Sequence, residues 1–361
     1  MSLEPSRFAL LANLPKETSS EGRRDLLRKV TDALLAGNQG QSNEDHAALD
    51  ELLSAVATEY STRVRAEIAH IVARTNAPIV RTVGQFALDD IEVAEPVLKH
   101  SRILSEADLL QVVASKSQGH LLAVTKRQSI SEGLSQALVE RGDDTVVTSL
   151  LQNEKADIGA TTYEALAVRA QDSVAIQAPL VRREGVPLDL LNDLYLKVEG
   201  KLRREILGKF NQVSSEEMDR AFLRSRNRIS RTFRDLPEDY EAATLRIDAI
   251  SRRGALAPPL LAALLREGQA ARTSFKLALS RLVDVGFELV QRVVDGRDLD
   301  TLALLCRGAG FERALFVTLA VGLDSSERAL AGAEAFGKLY ESVPVNAAQR
   351  AIRFWKVRSS A

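Results

Sequence analysis

The sequence predicts an all-α protein: an α-solenoid of short helical hairpins, followed by a further helical region. The main observation is a set of similar apolar segments that begin about 25 to 30 residues apart, which is the spacing of stacked helical hairpins. Composition agrees, because the chain is 45% hydrophobic and only 5% aromatic, and is rich in Leu and Ala, which favour helices. No stretch of useful length shows the alternation of a β-strand. The apolar segments are 93–98, 121–124, 146–151 and 176–181.

The first part of the chain predicts three amphipathic helices. Apolar residues recur at helical spacing within 19–36 and again within 44–60, and a Gly- and Asn-containing linker at 37–43 separates the two segments. A third helix is expected at about 62–74. These helices lead into the repeated part of the chain.

Turn and capping residues divide the repeated part into hairpins. Ser105 with Asp108 resembles a capping box, and Ser131 can begin another helix. Gly142 ends that helix, and Pro187 opens a later one. Neither helix of such a hairpin can cover its own apolar stripe, so stacked neighbours must bury one another.

The repeat becomes hard to read near residue 212. We therefore predict an N-terminal helical-repeat domain at 1–212 and a C-terminal helical region at 213–361. In the second region Cys306 lies in an apolar helical run and is interpreted as a buried structural thiol. The terminal helix carries Trp355 and is expected to pack back on the body, although a basic, apolar helix could also dock on a partner or a membrane surface.

Composition excludes several classes of function. The formal net charge is -1, from 48 basic and 49 acidic residues, so only a local patch could attract nucleic acid or anionic lipid. One cysteine permits no intrachain disulfide, and the four histidines form no metal-binding spacing. Phosphate-loop and nucleophile-elbow motifs are absent, so we expect no cofactor, no metal and no enzymatic activity. The N-terminus does not resemble a signal peptide, and the longest apolar run, 314–323, is too short for a transmembrane helix. The expectation is a cytoplasmic protein.

A set of motifs between residues 77 and 156 resembles a known family. These motifs lie at 77–78, 88–98, 101–110, 120–127, 130–131, 138–144 and 153–156. Together they resemble the alphaproteobacterial domain-of-unknown-function family 2336, most clearly between about 60 and 210. The resemblance implies HEAT-like helical repeats in a bacterial, cytoplasmic setting. It brings no catalytic residues.

Polar residues follow the helices of successive repeat units and form a candidate row. The row consists of His100, Arg127, Asn153 and Arg183, and repeat proteins often line a binding surface in this way. We predict that it contacts a partner, with polar ends of ordinary helices as the alternative. His100 and His120 could also form a pH-sensitive pair, although two independent histidines near turns explain them more simply.

The strongest run of positive charge lies in a predicted helix at 216–235. Arg220, Arg224, Arg228 and Arg231 fall along one stripe of this helix, which could bind phosphate, nucleic acid or an acidic protein. The alternative is a solvated amphipathic helix whose arginines pair with nearby acidic residues.

Two acidic pairs stand at matching positions of the repeat. Asp89–Asp90 and Asp143–Asp144 each come just before a predicted helix, so we interpret both pairs as helix caps rather than as a general acid and base.

The sequence thus favours a non-enzymatic scaffold or adaptor that binds a protein partner, with bacterial signalling as a candidate setting. The alternative is a nucleic-acid-binding HEAT-like module that uses the arginine-rich helix. A third class, a small-ligand sensor at His100 and Arg127, follows from the candidate row alone.

Overall fold

The computed structural model describes residues 28–29, 46–47, 49–51, 53–54, 61–198, 200–214, 236–324 and 332–359. Within these residues the fold is all-α, and the only β-type contact is one isolated bridge between Ile130 and Ala156. The chain divides into two compact units, Met1–Glu184 and Gly185–Ala361, called here the N-terminal unit and the C-terminal unit. The division precedes residue 212, where the sequence pattern becomes hard to read.

The described helices of the N-terminal unit follow one another closely. They are α1 (Thr62–Val72), α2 (Val80–Ala87), α3 (Ile91–His100), α4 (Glu106–Ser115), α5 (Gln118–Val124), α6 (Glu132–Arg141), α7 (Asp144–Gln152), α8 (Ala160–Arg169) and α9 (Val174–Arg182). Helical residues 46–47, 49–51 and 53–54 precede them, and there Asp50 accepts hydrogen bonds from the backbone amides of Arg81 and Thr82 at the start of α2.

The helices of the N-terminal unit pack as stacked hairpins in two layers. Layer one is α1, α3, α5, α7 and α9, and each of these helices contacts the next. Layer two is α2, α4, α6 and α8, in which α4 contacts α6 and α6 contacts α8. The four hairpins are α2–α3, α4–α5, α6–α7 and α8–α9. All four apolar segments of the sequence lie in layer one, which confirms the predicted all-α helical-repeat fold.

Burial within the stack shows why a single hairpin is not sufficient. Val97, Leu121 and Leu150 lie in three different layer-one helices and are completely buried. Because each helix is short, neighbouring hairpins supply much of the apolar cover, and fully burying one such side chain stabilises the fold by about 1.5–3 kcal/mol.

The predicted caps are confirmed at most positions. Ser105 and Asp108 form a complete capping box at α4, and the hydroxyl of Ser131 accepts from the amide of Leu134 at α6. Asp143 caps α7. The interpretation of Asp89–Asp90 as a cap is wrong.

At Asp89–Asp90 an ion pair replaces the expected cap. Asp90 offers no side-chain cap to α3. The carboxylate of Asp89 accepts from Nε and an Nη of Arg65 at 2.7 and 2.8 Å. An arginine from the preceding layer-one helix has therefore taken the carboxylate away from the helix terminus.

The C-terminal unit is also helical. Its described helices are α10 (Leu188–Tyr195), α11 (Gly200–Gln212), α12 (Tyr240–Arg252), α13 (Pro259–Arg266), a 3₁₀ turn (Gly268–Ala271), α14 (Arg272–Val283), α15 (Phe287–Asp295), α16 (Leu299–Gly308), α17 (Arg313–Leu323), α18 (Ala333–Ser342) and α19 (Val345–Ser359). Here α14 contacts four other helices, and α19 packs on α10, α11 and α16.

Two expectations about the C-terminal unit are confirmed. Trp355 is 4% exposed and its ring lies 6.0 Å from that of Tyr195, so the terminal helix does pack back on its own unit. Cys306 is fully buried, and burial raises the pKa of its thiol. None of the helices within the described ranges is long and apolar enough to cross a membrane.

Candidate functional site

The candidate row occupies equivalent positions at the C-terminal ends of layer-one helices. Arg127 follows α5, and its guanidinium donates to the carbonyls of Leu98 and Ser101 at 2.6 and 2.8 Å. Asn153 follows α7, and its amide nitrogen donates to the carbonyls of Thr125 and Arg127 at 2.9 and 2.7 Å. In both cases a side chain of one hairpin binds the helix end of the hairpin before it.

Arg183 repeats this arrangement after α9. Its side chain is 8% exposed and donates to the carbonyls of Leu151 and Asn153 at 2.9 and 2.8 Å. It also donates to the carbonyl of Ala156, and its Nε donates to the hydroxyl of Tyr163 at 3.1 Å. Arg183 is thus held on all sides by its own unit.

The cause of this arrangement is the unsatisfied end of each helix. The last four carbonyls of an α-helix have no partner within the helix, and positive charge there is favoured by the helix dipole. The helix ends of layer two are satisfied in the same way. Arg141 donates to the carbonyl of Val113 at 2.8 Å, and Arg169 donates to the carbonyl of Gly142 at 2.8 Å. Burial lowers the pKa of Arg127, consistent with a guanidinium placed among backbone groups.

The sequence therefore located a real structural row, in which three members bind backbone carbonyls. Their role in binding a partner stays a prediction. His100, the fourth member, is exposed at the end of α3.

His120 has a different environment from His100. It is buried, with its Nδ1 2.9 Å from the hydroxyl of Ser117 and its Nε2 2.9 Å from the carbonyl of Asp89. Both of its ring nitrogens are engaged in joining α5 to the turn before α3. His120 is thus a structural residue, as the simpler interpretation of the two histidines expects.

An open groove of about 630 Å³, called here the basic groove, lies at the C-terminal edge of layer one. It is lined by residues 73–76, 99–102 and 127–129, which lie at or just after the C-terminal ends of α1, α3 and α5. Three successive layer-one helices thus contribute equivalent ends to one surface. Two members of the candidate row, His100 and Arg127, lie in it.

The described lining of the basic groove contains cations and no carboxylate. The cations are Arg74, Lys99, Arg102 and Arg127, and His100 lies among them. Lys99 forms an ion pair with Glu95 on its own helix, and Arg127 binds carbonyls. Arg74 and Arg102 are exposed, and their side chains form no hydrogen bond or ion pair with any residue that the structure describes. Their guanidinium groups face solvent and can donate hydrogen bonds to a ligand.

A second groove of about 430 Å³ lies on the same layer. It is lined by Leu122 and Lys126 of the α5 region, by several hydroxyl-bearing and polar residues of α7, and by Ala175 of α9. Its chemistry is mixed, because it contains both Lys126 and Asp144. The consecutive residues Lys126 and Arg127 line the second groove and the basic groove respectively.

Sequence reasoning missed Arg74 and Arg102. Both stand just after a layer-one helix and are one repeat apart in the sequence, so the spacing that identified the candidate row could have found them. The arginine-rich stripe of Arg220, Arg224, Arg228 and Arg231 lies outside the described residues, so the structure neither supports nor opposes that prediction. Across the described ranges, no three His, Cys, Asp or Glu residues cluster in a way that could hold a metal ion.

Comparison with known proteins gives a family and no activity. The model of the family described as "Uncharacterised protein conserved in bacteria (DUF2336)" matches residues 93–353. The match covers parts of both units. No curated protein matches the chain.

Proposed function

The chain belongs to the DUF2336 family, and we propose that it is a non-enzymatic helical-repeat scaffold or adaptor that binds a protein partner along layer one of the N-terminal unit. One observation carries this proposal: three successive layer-one helices place equivalent ends around a single open groove. A surface assembled from repeated units is suited to an extended partner, because each repeat can contribute the same kind of contact.

The backbone around the groove is fixed before any partner arrives. Arg127 links the ends of α3 and α5, and Asn153 links the ends of α5 and α7. A surface held in this way loses little conformational freedom on binding, so more of the contact energy appears as affinity.

Side chains that could suggest catalysis have structural partners instead. Asp143 caps α7, and its neighbour Asp144 accepts from Arg169 and Ser173. His120 joins two turns, and Cys306 is buried within the C-terminal unit. These contacts support a scaffold over an enzyme that would use the same groups.

A cytoplasmic location and a role in bacterial signalling are part of the same proposal. The single cysteine is buried and has no second cysteine in the chain to pair with, so the fold depends on no disulfide and is compatible with a reducing compartment. The family description as conserved in bacteria supports the bacterial setting.

Site-specific photocrosslinking in cells of the source organism tests the scaffold. A photoreactive amino acid replaces Gln128 in the basic groove, and the matched control replaces Gln136, an exposed glutamine of α6 in layer two. We expect a discrete protein adduct from Gln128 and none from Gln136. No adduct at Gln128, or the same adducts from both positions, would count against a partner on layer one.

A further inference from the structure

We infer that the basic groove is an anion-binding site and that its occupant is an acidic segment of the protein partner. This inference rests on the proposed function and adds the chemistry by which the partner is recognised. The determining residues are Arg74 and Arg102, and Lys99 and His100 belong to the same lining.

The charge of the groove departs from that of the chain. The whole chain is nearly neutral, with a formal net charge of -1. The described lining of the groove, in contrast, carries four cationic side chains and no carboxylate. A concave surface lined by one sign of charge concentrates its field and attracts ligands of the opposite sign.

Stabilisation of helix ends explains only some of the cations in the groove. The negative ends of α1, α3 and α5 favour nearby cations, and Arg127 fills that role for α3 by binding the carbonyls of Leu98 and Ser101. Arg102 stands beside the same helix end and makes no such bond to a described residue. Its guanidinium is therefore available for a carboxylate, which it can bind through two parallel hydrogen bonds.

The lining favours an acidic peptide over nucleic acid. Single-stranded nucleic acid is commonly held by large aromatic side chains on which bases stack, and the described lining contains no Phe, Tyr or Trp. The positive surface is also short. Glu95 pairs with Lys99 on α3, and Asp144 lines the second groove. These carboxylates would repel a long phosphate backbone, whereas a short acidic segment can end before reaching them.

The first test uses the full-length chain and a fluorescently labelled oligoglutamate peptide, with the oligoglutamine peptide of equal length as the neutral control. Fluorescence anisotropy should show binding of oligoglutamate at low salt and none of oligoglutamine. Because the arginines are exposed, added salt should weaken binding as the Debye length falls. Equal binding of both peptides would overturn the inference.

Charge-reversal variants then locate the site. Arg74→Glu and Arg102→Glu should each weaken oligoglutamate binding about tenfold, because reversal replaces an attraction by a repulsion at the contact. The control Arg81→Glu makes the same charge change at an exposed arginine of α2 in layer two and should leave affinity within about twofold. Arg102→Gln removes the charge without reversing it and should give an intermediate loss.

Two outcomes would overturn the inference at this stage. One is equal weakening by Arg81→Glu and Arg102→Glu, which would show a response to net charge alone. The other is single-stranded DNA that binds more tightly than oligoglutamate and loses that binding in Arg74→Glu and Arg102→Glu, which would assign the groove to nucleic acid.

Combining the variants with the Gln128 photocrosslink separates this inference from the proposed function. If the parent and Arg102→Glu chains capture a partner equally, the scaffold proposal is retained and the acidic occupant is rejected. Arginine-dependent binding of oligoglutamate without any captured protein leaves the anion site standing and removes the protein partner. Loss of the captured adduct in Arg102→Glu, but not in Arg81→Glu, supports both.

Discussion

The two units are both helical, but different kinds of contact hold them together. In the N-terminal unit, hydrogen bonds between elements span about one repeat: Asn153 reaches Thr125 over 28 positions and Arg141 reaches Val113 over 28 positions. In the C-terminal unit, Arg203 reaches Asp298 over 95 positions, and Arg350 reaches the carbonyl of Phe210 over 140 positions. The first unit is built from neighbours. The second also has contacts of about this length, such as Tyr340 to the carbonyl of Phe311 over 29 positions, and adds contacts between distant parts of the chain.

The two units also differ in the groups that bind a buried arginine. In the N-terminal unit the 8% exposed Arg183 binds mainly neutral backbone carbonyls. In the C-terminal unit the 8% exposed Arg203 donates to Asp298 at 2.5 Å and lies over the ring of Tyr195 at 5.3 Å. Repeated helix ends need a donor at every step, whereas one central ion pair can fix a core whose helices come from distant parts of the sequence.

The largest effect should come from breaking that ion pair. Arg203→Met leaves the carboxylate of Asp298 without its charged partner, and we expect a loss of about 3–5 kcal/mol in the free energy of unfolding. Urea titration followed by circular dichroism measures this loss. Hydrogen exchange should rise throughout the C-terminal unit, because the pair joins α11 to α16. Exchange that rises only near residue 203 would contradict the non-local view of this unit.

Arg183 tests the corresponding claim for the N-terminal unit. Arg183→Met leaves several carbonyls and the hydroxyl of Tyr163 without a donor, with an expected loss of about 2–3 kcal/mol. The increase in hydrogen exchange should stay within α7, α8 and α9, because stacked repeats couple mainly to their neighbours. Arg183→Lys is the control: it keeps the positive charge but loses the forked guanidinium. Its free energy of unfolding should fall between that of the parent and that of Arg183→Met. An increase in hydrogen exchange that extends evenly to α1 would contradict the view that this unit is held by contacts between neighbouring repeats.

Acid should weaken the central ion pair by a smaller amount. Burial by itself would raise the pKa of Asp298, but hydrogen bonds from Arg203 and Thr301 outweigh it and hold the pKa below its usual value. A lowered folded-state pKa adds stability above the unfolded value of about 3.9, and this stability is lost as pH falls through the folded-state pKa.

The measurement is the urea midpoint of the C-terminal unit from neutral pH down to about pH 2, because a carboxylate with a lowered folded-state pKa is protonated only below the usual value of about 3.9. The midpoint should fall in the acid part of this range. Asp298→Asn, which cannot lose a carboxylate charge, should show a flatter profile. Parallel profiles for the parent and the variant would argue against this role of Asp298.

The smallest effect should come from one donor of the layer-one row. Asn153→Ala removes the hydrogen bonds to the carbonyls of Thr125 and Arg127, with an expected loss of about 1 kcal/mol. The control Gln152→Ala changes an exposed neighbour at the end of the same helix and should have little effect. If both substitutions cost the same, the row contributes no more than an ordinary helix end.

Sequence reasoning succeeded where the determinant lies within one helix or the turn next to it. Apolar spacing found the layer-one helices, and local capping chemistry found Ser105, Ser131 and Asp143. It failed at Asp89, because Arg65 is 24 positions away and competes for a carboxylate that local chemistry assigns to α3. The candidate row shows an intermediate case, since the spacing revealed its positions but not the carbonyls that three of its side chains bind.

The sequence by itself determined that this chain is helical, that its first part repeats, and which faces are apolar, since helix propensity, capping and periodicity act over a few residues. Only the tertiary structure decided which polar side chains have hydrogen-bond partners within the protein. Arg127 and Arg102 look alike in the sequence, yet stacking puts carbonyls in front of Arg127 and leaves Arg102 open to solvent. A side chain's partners depend on which helix ends come together in space, so the basic groove became visible only once the hairpins were stacked.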